Sequence, residues 1–86
     1  MNRREFLLKM DEHQAKLVAR AQQRFPDLNE ATAGRINQLL KQAEILRRAY
    51  QSQNKNNLFM DWQNLINEVS VPLDESPLTI ALPEQR

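Results

Sequence analysis

Eighty-six residues allow one small domain and a tail, and a chain this short leaves much of its surface exposed, so a second copy or a partner is the natural source of further burial. The lack of cysteine excludes disulfides, zinc-thiolate sites and thiol nucleophiles and fits a reducing cytoplasm, and a single glycine, Gly34, excludes phosphate-cradling loops and dinucleotide-binding turns. The net charge of +1 conceals an asymmetry: residues 1–50 hold ten Lys and Arg against six Asp and Glu, whereas residues 51–86 hold two against five.

Opposite signs in the two parts suggest two tasks. The first part suits an anion such as DNA and the second a basic protein surface, although ordinary solvated surfaces account for the same counts. No apolar run approaches the roughly 18 residues of a membrane span. No signal-peptide core follows Asn2-Arg3-Arg4, so the expected location is the cytoplasm, with no membrane partner.

In chain order, Arg4–Met10 reads in two ways. As a strand it sets Phe6, Leu8 and Met10 on one face and Glu5, Leu7 and Lys9 on the other. As the first turns of a helix it aligns Phe6, Met10, Leu17 and Ala21 in one stripe. The strand is the expectation carried forward, because Asp11 has the chemistry of a helix N-cap, with Glu12 behind it and Gln14 at the capping-box position. A helix then runs to about Arg24, where Pro26 stops it.

Asn29 caps a second helix whose Ile36, Leu39, Leu40, Ala43, Leu46 and Tyr50 keep helical spacing. Gly34 inside it costs roughly 1 kcal/mol relative to alanine, and reads either as a close helix contact or as a tolerated accident. The polar run 51–57 has no apolar anchor and is expected to be weakly helical or a linker. Leu58, Phe59, Trp62, Leu65, Ile66 and Val69 then rebuild an amphipathic stripe, a third helix of about twelve residues. Beyond it, Pro72, Pro77 and Pro83 exclude a helix, while Leu78, Ile80 and Leu82 alternate with Thr79 and Ala81. This end reads as an extended tail that adds to a partner, or as a disordered terminus.

Little in these residues points to catalysis. His13, the one histidine, reads as an exposed polar residue, and no nucleophile–base set or paired carboxylates can be assembled. The expectation is a non-enzyme with no cofactor and no metal. If Arg4–Met10 is a strand, two copies pair it about a two-fold axis and present Glu5, Leu7 and Lys9 to the major groove of double-stranded DNA. Arg3, Arg4, Asn29 and Thr32 then meet phosphates.

The order strand, helix, turn, helix, with Phe6-x-Leu8-Lys9-Met10-Asp11 at its head, resembles the ribbon-helix-helix family of dimeric repressors over residues 4 to 46. Leu46–Asn54, and Asn64–Val69 followed by Val71-Pro72-Leu73-Asp74, resemble the CcdA-like antitoxins. That resemblance implies a homodimeric DNA-binding repressor that neutralises a small basic toxin and regulates its own operon. The expected fold is mainly α with one short N-terminal strand: a ribbon-helix-helix dimer over residues 1–50, then a third helix and extended tail over 51–86. Phe59, Trp62, Ile66, Leu78, Ile80 and Leu82 would be the partner anchors. Two alternatives stand beside it. One is a plasmid transfer or partition protein sharing the DNA site. The other is an all-helical hairpin without a strand, acting as a protein-binding adaptor or inhibitor without DNA.

Overall fold

The chain enters a helix almost at once. The computed structural model describes residues 2–78 and Ile80, and in it α1 spans Arg3–Arg24. Asn2 is the N-cap: its backbone is extended and its side-chain oxygen accepts the Glu5 N–H at 2.8 Å. Glu5 places its charge in the first turn, where the dipole favours it. The buried face of α1 is Phe6, Met10, Gln14, Leu17 and Ala21, at intervals of four, four, three and four.

The expected strand at Arg4–Met10 is therefore overturned, and with it the ribbon-helix-helix dimer. Among the described residues there are three α-helices, a short 3-10 turn and no strand. The helical period gathers five positions of one chain onto one core, whereas the strand gathered only three and needed a second chain to do so. Leu8, inward in the strand reading, is half exposed. Asp11 is not a cap but a mid-helix residue paired with the Arg47 guanidinium.

After α1, Pro26 shapes a 3-10 turn over Phe25–Asp27. Asn29 caps as expected, its side chain accepting the Thr32 N–H at 2.7 Å, and α2 runs over Glu30–Gln53. The polar run is more ordered than a linker. Helix α2 continues through it to Gln53, and Asn54 closes the helix with φ 56°, its N–H bonded to the Tyr50 carbonyl at 2.7 Å. Asparagine tolerates this left-handed position better than most residues. Helix α3, Asn56–Ser70, starts two residues later and packs on α2 more closely than any other pair.

The three helices run up, down and up. One end of the bundle is aromatic: Phe6 lies 4.9 Å from Phe59 and 5.9 Å from Tyr50 between ring centroids, and Phe59 lies 5.9 Å from Trp62. All four rings are fully or almost fully buried, and tilted pairs at these distances are favourable beyond the area they bury. Toward the other end the core thins to Leu17, Ala21, Ile36, Ile66, Val69 and Leu73. No described helix is long and apolar enough to cross a membrane.

Candidate functional site

Two grooves flank α1, and the chain treats them differently. The groove between α1 and α2 is open, with a volume of about 570 Å³. Ala15, Val18 and Ala19 line its α1 side, and Asn37, Leu40, Lys41 and Glu44 its α2 side. Large side chains interdigitate where helices pack tightly; here α1 offers two alanines and a valine, so the seam stays unfilled. Val18 is 36% exposed and Leu8, further along the helix, 50%.

A polar cluster closes one end of this groove. The side-chain oxygen of the buried Gln14 accepts from Trp62 Nε1 at 2.9 Å and from Arg47 Nε at 3.2 Å. Arg47 pairs with Asp11, which also accepts from the Gln51 amide at 3.0 Å. These bonds join all three helices and fix the register of α1 on the hairpin, since a shift of one turn would leave the buried Gln14 oxygen and Trp62 Nε1 without each other.

The groove between α1 and α3 is covered. After α3, Asp74 takes a left-handed conformation (φ 57°), and the Glu75 N–H reaches the Ser70 carbonyl at 3.0 Å. The chain turns back and lies along α1 and α3 as a strap. Leu78 donates its N–H to Asn67 Oδ1 at 2.8 Å and accepts at its carbonyl from Gln63 Nε2 at 2.9 Å. Glu75 pairs with Lys16 at 3.4 Å and Arg20 at 3.3 Å, and Asp74 with Arg24 at 3.5 Å. Leu78 and Ile80 pack against the core and, with Lys9, Glu12, His13 and Lys16, line a recess of about 330 Å³.

The sequence-predicted site residues do not converge. Glu5 sits in the first turn of α1, Leu7 packs partly buried against the core, and Lys9 faces the strap recess. Without a ribbon these three form no base-reading face. Arg3 caps the C-terminus of α2, bonding the Asn54 side chain and the Gln51 carbonyl and lying 5.6 Å from the Tyr50 ring centroid. Arg4 is exposed. Asn29 spends its side-chain oxygen on the Thr32 N–H, one of the donors a phosphate would use.

Phe59, Trp62 and Ile66 are at most 1% exposed, so they anchor this chain's own core rather than a partner. Leu78 and Ile80 are turned inward by the strap, and Leu82 lies outside the described residues, as do Thr79 and Ala81. The opposite charges of the two halves also meet within the chain, through the Asp74 and Glu75 pairs and through Arg35 with Glu68.

His13 departs from its bland reading. It is partly buried, Nε2 has no hydrogen-bond partner among the described residues, and burial, followed by the Lys16 charge, holds its pKa below the ordinary histidine value against the opposing pull of Glu75. The sequence marked no site role for Arg47, Gln63 or Asn67, and the capping-box position expected of Gln14 gives way to a buried place in the middle of α1, bonded to Trp62 and Arg47. Gln14 alone left a trace, a polar residue four positions beyond Met10 on an otherwise apolar stripe. No group of three or more His, Asp or Glu among the described residues could hold a metal ion. No protein-family model matches the chain, and no curated protein or solved structure matches it, so known proteins neither support nor refute the ribbon-helix-helix and CcdA-like resemblances.

Proposed function

We propose that this chain is a small helical protein-binding module whose open α1–α2 groove accepts one amphipathic helix of a partner protein. The observation that carries the reading is the apolar stripe of Ala15, Val18 and Ala19 beside Leu40, which the described residues leave uncovered along the seam between two helices. Small side chains on the floor permit a close approach, and Lys41 and Glu44 on the rim offer both charges to a partner's polar edge. A helix fits this shape with apolar residues at three-and-four spacing.

The repressor–antitoxin expectation needed a shared ribbon at Arg4–Met10 and a tail free to wrap a toxin. In this fold the first segment belongs to α1 and the described part of the second lies on α1 and α3. The adaptor or inhibitor alternative needs neither.

The test is affinity capture with the tagged full chain from the cells that express it, comparing wild type with Val18→Glu. Val18 is a third exposed, so the charge is tolerated in the free protein, which circular dichroism checks. The expected result is a stoichiometric partner that the variant loses at least roughly tenfold, as for a charge placed in the centre of an apolar interface. A partner retained equally by Val18→Glu, or no partner at all, overturns the reading.

A further inference from the structure

The strap carries information of its own, because it is a ligand already seated in a groove. Gln63 and Asn67 stand one turn apart on α3, so their amides project side by side. Together they satisfy both backbone groups of Leu78, one donating to its carbonyl and the other accepting its N–H. This pairing reads extended backbone without reference to the side chain it carries, which is how peptide-binding grooves hold ligands of varied sequence. Helix α1 supplies the selectivity. Lys16 and Arg20 take one carboxylate, Glu75, and the recess formed with Lys9, Glu12 and His13 takes Leu78 and Ile80, three and five residues further on.

The strap is also prepared for this role. Pro77 fixes its own φ and pushes Ser76 out of the helical region, so the segment is extended before it docks. Its hold is modest. The ion pairs are exposed on at least one side, with Lys16 63% and Asp74 78% accessible, and such pairs contribute little each. A tethered segment with weak intrinsic affinity nonetheless stays bound, because a short tether gives it a millimolar effective concentration. A weakly held, tethered occupant is one that a competitor of the same chemistry can replace.

The geometry points to the α1–α3 groove as a receptor for an extended peptide of a partner protein, with an acidic residue followed at the third and fifth positions by branched aliphatic residues. The chain's own strap occupies it in cis and sets the threshold for that partner. This site is separate from the α1–α2 groove and stands whether or not a helix binds there.

The probe is a fluorescent synthetic peptide of residues 71–80, titrated into the full chain and followed by anisotropy. Wild type should bind it weakly. The strap-weakened double variant Glu75→Gln, Leu78→Ser should bind it at least roughly tenfold more tightly, because the competing tether is lost. Adding Gln63→Ala and Asn67→Ala to that variant should remove the gain. In unmodified protein, saturating peptide should speed hydrogen exchange at the Leu78 amide, a readout that needs no substitution. Equal affinity in wild type and the strap-weakened variant, or an unchanged Leu78 exchange rate under saturating peptide, overturns the proposal. So does a wild-type dimer by light scattering in which a second copy's strap fills the groove.

Discussion

At the aromatic end of the bundle, Phe6, Tyr50, Phe59 and Trp62 contribute one large ring or more from every helix, and the spaces between helices are filled by the chain itself. At the other end α1 presents Ala15, Val18, Ala19 and Ala21, and α2 presents Asn37, Leu40 and Lys41. The same helices are thus sealed in one half and parted in the other, and side-chain volume is the variable that changes. Rings close inter-helix space and also bring cooperative burial; small residues leave room that something else can occupy. The aromatic half thus carries most of the buried ring area, and the α1–α2 seam opens where the side chains are small.

The division predicts its own largest effect at Trp62. Replacing it by alanine removes a fully buried indole and one of the two donors to buried Gln14, at a cost of roughly 3–5 kcal/mol, which is a large part of the total for a domain of this size. Urea denaturation should show the loss, or no folded baseline at all. A Val18→Ala change in the groove should cost well under about 1 kcal/mol on the same scale, since that site is already partly in water. Similar costs at the two positions would dissolve the contrast between the ends.

Arg47 lies between them, and its removal should have an intermediate cost. Arg47→Ala strips Asp11 of its cation and Gln14 of one donor, but Asp11 remains 45% accessible and water can serve it. The expected loss is about 1–2 kcal/mol, reduced when Asp11→Ala is made in the same chain. Additive costs for the pair would mean that Arg47 acts through Gln14, Glu44 and packing rather than through Asp11.

Much of the hairpin was legible in the sequence because its signals are local. Asn29 is a cap wherever an extended residue precedes a helix, Pro26 stops a helix through its own ring, and the stripes of α2 and α3 repeat often enough to have one meaning. Arg4–Met10 was not legible by the same means. Seven residues are too few to separate a period of two from one of 3.6, and Phe6 and Met10 belong to both. Asp11 then weighed on the wrong side: a carboxylate before Glu12 has a cap's chemistry, while its true partner, Arg47, is distant in sequence. The same distance hid the groove residues. Nothing at Gln63 or Asn67 announces that Leu78 will return to them, because the encounter depends on the turn at Asp74 and on a third helix lying alongside. Trp62, likewise, has one spacing whether it faces a partner or a core, and only assembly of the bundle decides.

Gly34 sharpens the comparison from a third direction, the outer face of α2. A Cβ built there meets nothing within 4 Å, so of the two explanations for this glycine the close helix contact is absent from the free chain. Gly34→Ala should therefore stabilise the protein by about 1 kcal/mol through helix propensity and a less flexible unfolded chain. The midpoint of urea unfolding should rise with an unchanged slope. A lower midpoint would mean that a second copy packs on this face in solution.

The smallest effect concerns His13, under the strap. The groups around it are Lys9, Glu12 and Lys16 of α1 and Glu75 of the strap. Its folded pKa is lowered chiefly by burial, so between the folded and unfolded values the unfolded chain binds the extra proton. Stability from the neutral imidazole is then fully present above the ordinary histidine value of about 6.5 and declines as pH falls through that value toward the lowered one. His13→Gln keeps the polarity without the titration. Measured by urea unfolding between about pH 7.5 and about pH 5.5, wild type should lose stability on acidification more steeply than the variant. The exchange rate of the Leu78 amide should follow the same difference, because the proton enters beside Lys16, where added positive charge loosens the recess that seats Leu78 and Ile80. Parallel pH profiles for the two proteins would place the histidine outside the strap's contacts and leave the ion pairs of Asp74 and Glu75 as the strap's only charge-dependent hold among the described residues.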